Sequence, residues 1–322
     1  QTLDTGQTAA PHSLSAPAPD TVVLVGPRGI RRGKGSTQPQ PVGGPVVSKT
    51  ALTQIVSHPN LLITFGGGGK LIFLSTDTGQ TWKKVKLPKK IRLGYMPSAV
   101  DFASTRVGFF VDNNSRLWKT VNGGRKWSQM LGVGTSFARG ISMADATNGV
   151  IPVRGIGDRI DDPNATAYVL RTSDGGKTWR LQAIARGLMS DALATAPLRG
   201  YALVGGNHFF FTASGGDAGN PTALSLKTTK RSYTKKTLKK AKGRVTISGT
   251  LPGAVGGEQI VVARRDLSGT LWSQQIVTAG ANGGSFTTSW RISRSSVFVA
   301  QWAGDSGRRG AGSVPLAISV KR

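Results

Sequence analysis

A turn motif written three times at nearly regular spacing constrains this chain more than any other feature. Ser75-Thr76-Asp77-Thr78-Gly79-Gln80-Thr81-Trp82 recurs as Thr120-Val121-Asn122-Gly123-Gly124-Arg125-Lys126-Trp127. It recurs again as Thr172-Ser173-Asp174-Gly175-Gly176-Lys177-Thr178-Trp179. The closing tryptophans at 82, 127 and 179 set a period of about 45 to 52 residues, the length of one four-stranded unit in a radial β-repeat. The chemistry of the turn is readable in the residue types. An Asp or Asn side-chain oxygen accepts backbone N–H bonds within its own turn. Glycine takes positive φ without steric cost, and the Trp ring folds back to bury a large apolar area.

The flanks repeat as well. Strand-forming pairs such as Val107-Gly108-Phe109-Phe110-Val111 and Leu117-Trp118-Lys119 precede the motif, and another short strand follows it. The motif resembles the Asp-box, or BNR, repeat, Ser/Thr-x-Asp-x-Gly-x-Thr-Trp. That resemblance implies an all-β fold built on a β-propeller of six or seven blades. Degenerate copies extend the array. Thr212-Ala213-Ser214-Gly215-Gly216-Asp217 follows Phe209-Phe210-Phe211, and residues 31–38 align Gly35 and Thr37 with Gly79 and Thr81. Thr2-Leu3-Asp4-Thr5-Gly6-Gln7-Thr8 is nearly the intact motif, so the sequence is expected to begin within a blade, with an upstream portion missing or another segment completing the ring.

Repetition stops near 226, which predicts three parts: blades over 1–226, a basic linker over 227–243 and a second β-domain over 244–322. The linker, KTTKRSYTKKTLKKAKG, holds Lys227, Lys230, Arg231, Lys235, Lys236, Lys239, Lys240 and Lys242 and no acid. It is expected to run extended and solvated, and also to serve as a polyanion-binding strap, since such a run neutralises several phosphates or uronates at once. Beyond it, alternating runs at 245–249, 259–264, 271–277, 285–290, 297–302 and 316–320 predict six or seven short strands. This pattern looks like the Ig-like β-sandwich modules of secreted bacterial proteins.

Charge and composition restrict the function classes. A formal charge of +27, with 42 Lys and Arg against 15 Asp and Glu, attracts polyanions such as wall polymers, acidic polysaccharides or nucleic acid. Apart from Tyr233, no aromatic residues interleave the basic run, so nucleic acid is not expected as the natural ligand. There is no cysteine, so disulfides, thiolate metal sites and cysteine nucleophiles are excluded. No stretch approaches the ~20 apolar residues of a membrane span; for an exported protein the signal peptide is expected to have been removed already.

Asp-box propellers include the sialidase-like superfamily, and that resemblance implies a Tyr–Glu nucleophile, an Asp acid/base and three clamping arginines. The chain contains a single glutamate, Glu258, outside the blades, and no arginine set forms a recognisable clamp. Asp77 and Asp174 are accounted for as turn formers. His12, His58 and His208 show neither nucleophile-elbow nor metal-ligand spacing. Gly66-Gly67-Gly68-Gly69-Lys70 lacks the phosphate-loop spacing and reads as a hairpin turn. Asp158, Asp161 and Asp162, in an inserted loop, offer oxygen ligands for Ca²⁺ or a solvated recognition loop; no other cofactor is implied.

Tyr168-Val169-Leu170-Arg171-Thr172 followed by Asp174-Gly175-Gly176-Lys177-Thr178-Trp179-Arg180 resembles the photosystem II assembly factor-like propellers, non-enzymatic proteins also found in non-photosynthetic bacteria. Over residues 1–226 the resemblance implies a scaffold or partner-binding role. The appended second domain departs from the photosynthetic members and favours an extracellular or cell-surface protein. The expected function is a secreted, non-catalytic structural or interaction protein that binds a protein or glycan and is open to self-assembly. The alternatives are a lectin-like or polyanion-binding module, and a glycoside hydrolase whose catalytic residues lie outside this chain.

Overall fold

The structure is a computed structural model. It describes residues 12–321 apart from 45–49, 59–60, 67–70, 87–98, 113–115, 136–137, 139, 154–163, 165, 216–218 and 270. The chain is almost entirely β-stranded and divides into two compact units, residues 1–113 with 117–129, and residues 114–116 with 130–322. This division falls at 129–130, whereas the sequence predicts one near 226.

The first unit carries three antiparallel meanders of four strands. The first is β1 (Ser13–Ala18), β2 (Thr21–Gly26), β3 (Gly29–Lys34) and β4 (Gln40–Val42). The second is β5 (Leu52–His58), β6 (Leu61–Gly66), β7 (Leu71–Ser75) and β8 (Lys83–Lys86). The third is β9 (Ala99–Phe102), β10 (Gly108–Val111), β11 (Leu117–Thr120) and β12 (Ser128–Met130). The middle sheet is buried on both faces, and its sequence reflects that. Every residue of β6, Leu-Leu-Ile-Thr-Phe-Gly, is buried, as a near-continuous apolar run requires. Leu62 and Phe73 pack toward the first sheet with Val23, Val25 and Ile30. Ile63, Phe65 and Ile72 point the other way, against Phe102, Phe110, Trp118 and Trp127.

The second unit continues with a fourth meander, β13 (Ser142–Met143), β14 (Gly149–Val153), β15 (Thr166–Thr172) and β16 (Arg180–Arg186). It is followed by a sheet of three strands, β17 (Met189–Ala196), β18 (Arg199–Val204) and β19 (His208–Thr212). These two sheets share a core of Val150, Val169, Ala192, Ala194, Ala202 and Val204.

The remaining chain forms β20 (Ser225–Lys227), β21 (Ser232–Thr234), the six-residue helix α1 (Lys235–Lys240), β22 (Arg244–Thr250), β23 (Gln259–Asp266), β24 (Ser273–Thr278), β25 (Ser285–Arg291), β26 (Ser296–Gly304), β27 (Arg309–Gly312) and β28 (Leu316–Lys321). One sheet has the order β20-β22-β25; the other runs β21-β28-β26-β23-β24, with β27 also on β26. A common core lies between them, including Val245, Ile247, Phe286, Trp290, Ile260 and Phe298. Strand β25 shows the cause plainly: Phe286, Thr288 and Trp290 are buried while the residues between them are exposed.

The basic segment corrects the expectation of an extended linker. Leu226 and Lys227 pair with β22, and β21 runs parallel to β28 with Ser232 opposite Ser319. Tyr233 and Leu238 are buried in the core between the two sheets. Two apolar anchors five residues apart are enough to draw a cationic segment onto the sheets. Within the same unit the C-terminal sheets also lock onto the fourth meander: Gln301 Nε2 donates to Val133 O and Trp179 O at 3.1 and 3.2 Å.

Candidate functional site

The three repeated turns each join the third and fourth strands of a four-stranded sheet. The first and last form the same side-chain network, and the middle copy keeps its Thr–Asx–Gly part without the closing tryptophan bond. In the last copy, Thr172 Oγ1 donates to Asp174 Oδ1 at 2.9 Å and accepts from Gly176 N at 2.9 Å. Asp174 accepts from Thr178 N at 3.0 Å and from Thr178 Oγ1 at 2.6 Å, and Trp179 Nε1 donates to Gly176 O at 3.2 Å. Ser75, Asp77, Gly79, Thr81 and Trp82 reproduce each of these bonds. In the middle copy Asn122 accepts from Thr120 Oγ1 and from Lys126 N, and Gly124 N donates to Thr120 Oγ1. Gly175 and Gly176 sit at φ 72 and 84, whereas the first copy places Thr78 at φ 55 before Gly79. Burial raises the carboxyls of Asp77 and Asp174, but the hydrogen bonds from Thr81 and Thr178 outweigh it and hold both below the usual range. These carboxylates are occupied by their own turns.

The basic segment forms a fixed cationic surface. Thr234 caps α1 reciprocally with Thr237: Thr237 N donates to Thr234 Oγ1 at 3.2 Å, and Thr234 N donates to Thr237 Oγ1 at 2.9 Å. The helix closes through Gly243 N to Leu238 O at 2.9 Å, with Gly243 at φ 72. With Tyr233 and Leu238 buried beneath it, α1 displays Lys235, Lys236, Lys239 and Lys240. Lys227, Lys230, Arg231 and Lys242 are also exposed around it. Three further cations come from strand pairing and were invisible in the sequence. Arg244 lies directly opposite Arg291, and Lys321 lies opposite Thr234; all three are exposed. Only the register of strands far apart in the chain could have found them.

A cleft of about 750 Å³ in the same unit is lined by Tyr168, Glu258, Gln259, Trp302, Asp305 and Arg308, among others. Arg308 donates to Glu258 at 2.7 Å, to Asp305 at 2.5 Å and to Gly253 O at 2.6 Å, and its guanidinium lies 4.9 Å from the Trp302 ring centre. Glu258 also accepts from Val255 N and Gly256 N at 2.8 and 3.0 Å. Burial raises the Glu258 carboxyl, yet Arg308 and these backbone donors bring it down to about 2. An ionised carboxylate has no proton to give at neutral pH, so Glu258 is unsuited to act as a general acid there. Its contribution to stability is complete above pH ~4.5, the ordinary carboxyl value, and is lost as pH falls toward 2. Glu258→Gln is therefore expected to flatten the fall in melting temperature over that window. An unchanged acid limb would show that Glu258 carries none of the acid sensitivity.

The sequence shows no arginine clamp, but Arg171 and Arg180 are directly opposed on β15 and β16, with Arg309 near them. Burial, then repulsion from Arg171 and Arg309, lowers Arg180 to about 10. At 4% and 8% exposure, Arg171 and Arg180 belong to the packed interior rather than to a displayed clamp. Asp158, Asp161, Asp162, Asp4 and Asp217 lie outside the described residues. Among the described residues no three His, Cys, Asp or Glu side chains gather as a metal site. His12 Nδ1 lies 2.8 Å from Leu52 O, and His208 is exposed on β19. Leu62–Gly66 pairing with Leu71–Ser75 agrees with the hairpin expected around the glycine run. No helix among the described residues is long and apolar enough to cross a membrane.

No family model matches the chain, and no curated protein matches it. Among solved structures it is similar to YCF48 bound to D1 peptide, with 13% identity and a TM-score of 0.47 over 90% of this chain and 94% of that one. YCF48 from Cyanidioschyzon merolae shows 15% identity and a TM-score of 0.32, over 63% of this chain and 94% of that one. The GH74 xyloglucanase from Xanthomonas campestris shows 11% identity and a TM-score of 0.46, over 94% of this chain and 54% of that one. At these identities and TM-scores, none of them assigns a ligand, a partner or an activity to this chain.

Proposed function

We propose that this protein is an exported, non-catalytic interaction protein that holds an anionic polymer, such as a wall polymer or acidic polysaccharide, on the lysine surface around α1. In this reading the four-stranded meanders are propeller-type blades, three of them closed by Asp-box turns, and the two C-terminal sheets are an Ig-like module. The observation that carries the reading is the placement of Lys235 and Lys236 in the first turn of a helix with no acid there. Cations at a helix N-terminus oppose its dipole and cost about 0.3–1 kcal/mol each. The directly opposed Arg244 and Arg291 are unfavourable for the same reason of like charge. Lys239 and Lys240 lie in the last turn, where the dipole favours cations, so the cost rests on the first-turn pair and the opposed arginines, and it is there that a bound polyanion brings relief.

The test is retention on heparin and on long-chain polyphosphate across a salt gradient, with duplex DNA of matched charge as a comparison. Each lysine beside an anionic surface contributes about 1 kcal/mol. Replacing Lys235, Lys236, Lys239 and Lys240 together by Gln should weaken binding at physiological salt by at least about tenfold and reduce the salt dependence. Equal retention of the variant and the parent protein would overturn the reading. Preferential capture of DNA would move the ligand to nucleic acid.

A further inference from the structure

The sheet β17–β18–β19 differs from the four sheets before it in having three strands and an open apolar face. Cross-strand register places Leu193, Tyr201 and Phe211 in one row and Asp191, Leu203 and Phe209 in the next, all on one side by the two-residue period. The opposite side, with Ala192, Ala194, Ala202 and Val204, is packed against the fourth meander. On the open side Phe209 is 77% exposed, Phe211 59%, Leu193 52% and Tyr201 47%. A shallow depression of about 270 Å³ lies among Asp191, Leu193, Tyr201, Leu203 and Phe209. Clustered aromatic and leucine side chains on one exposed sheet face mark an interaction surface.

The guards that normally keep a sheet edge from pairing are also missing. Strand β8 carries Lys83, Lys84 and Lys86, and β4 carries Pro41, whereas His208-Phe209-Phe210-Phe211-Thr212 has no lysine, arginine or proline. Among the described residues no strand pairs with the outer edge of β19.

Charge selects the occupant. In a chain of +27, this face bears one acid and one base: Asp191 on β17, and Arg199 at the start of β18 on the same side as Tyr201. Both are exposed. A neutral patch does not attract a polyanion, and between two copies of a strongly cationic chain it brings no like charges into direct contact. A two-fold rotation about an axis across the strands near the Leu193-Tyr201-Phe211 row exchanges the Asp191 end of the face with the Arg199 end, so the face is complementary to itself.

We propose that this open face is where a second copy of the chain packs, sheet on sheet. The aromatic rows bury one another, and Asp191 of each copy meets Arg199 of the other. The surface is distinct from the lysine array on α1 and stands without it.

The test is native mass by light scattering over a wide concentration range at fixed salt, with circular dichroism to verify folding. The parent protein should reach twice the 33.7 kDa chain mass. Phe209→Glu combined with Phe211→Glu should yield a folded monomer. Asp191→Arg or Arg199→Asp alone should raise the dimer dissociation constant by at least about tenfold, and the two together should restore it. A parent protein that stays monomeric throughout would overturn the proposal. So would a dimer indifferent to the phenylalanine changes, or single charge reversals that their combination does not rescue.

Discussion

Trp179→Ala is expected to destabilise the second unit by about 3–5 kcal/mol, the range for removing a large buried aromatic side chain. The ring is 1% exposed, one of the largest fully buried side chains in the protein, and its Nε1 closes the turn onto Gly176 O. The residue also marks where the fourth meander meets the C-terminal sheets. Its carbonyl accepts from Gln301 Nε2, and the backbone passes so near Gly312 that a Cβ there would lie 2.0 Å from Trp179 O. Relaxation into the lost volume is therefore limited on two sides, which keeps the cost in the upper part of the range. Trp82 holds the same place in the first turn and makes the same bond to Gly79 O, but its ring is only half-buried. Trp82→Ala should cost clearly less. Urea unfolding followed by far-ultraviolet circular dichroism separates the two. Equal losses would mean that the turn hydrogen bond, common to both, dominates over ring burial.

Leu238→Ala is expected to cost about 2–5 kcal/mol and to weaken polyanion retention without removing a charge. Leu238 is 5% exposed and, with Tyr233, is one of the two side chains that seat the basic segment in the core. A six-residue helix has too few internal hydrogen bonds to persist alone, so its shape depends on that seat. Once it loosens, Lys235, Lys236, Lys239 and Lys240 must be ordered again whenever a polymer binds, and the ordering cost is subtracted from affinity. Replacing the four lysines by Gln should do the reverse, lowering retention while leaving thermal stability about unchanged, because the relief of Lys235 and Lys236 in the first turn is offset by the loss of Lys239 and Lys240 from the last turn, where the dipole favours cations. Heparin elution and thermal melts on both variants test the pair. If Leu238→Ala eluted with the parent protein, the polymer would be responding to net charge alone, and a fixed array would play no part in binding.

The parts of this protein legible in its sequence are those whose physical causes lie within a few residues. Each repeated turn is knit by side-chain bonds spanning no more than four positions, from Ser75 or Thr172 to the glycine four residues on and from Thr178 N back to Asp174. Longer bonds, from Arg32 Nε to Thr78 O, Gly123 N to Arg106 O and Gly175 N to Thr147 O, then tie each turn to the rest of the fold. Alternation along 285–291 likewise announces the buried face of β25 residue by residue. Charge was legible as well, but only as a sum.

The tertiary structure decided what became of that charge. The segment 227–243 reads as a linker because cations dominate it and its apolar residues follow no period. It is drawn into the fold by Tyr233 and Leu238, and by a parallel pairing of Ser232 with Ser319, 87 positions away. Glu258 is likewise an unremarkable surface residue in sequence until Arg308, 50 positions on, clamps it. The sequence by itself determined the local turns and the alternation of the strands, because near neighbours carry those forces. The placement of the lysine surface, the Arg308–Glu258 pair and the open aromatic sheet was settled only by packing. Burial and register join residues that no local pattern relates.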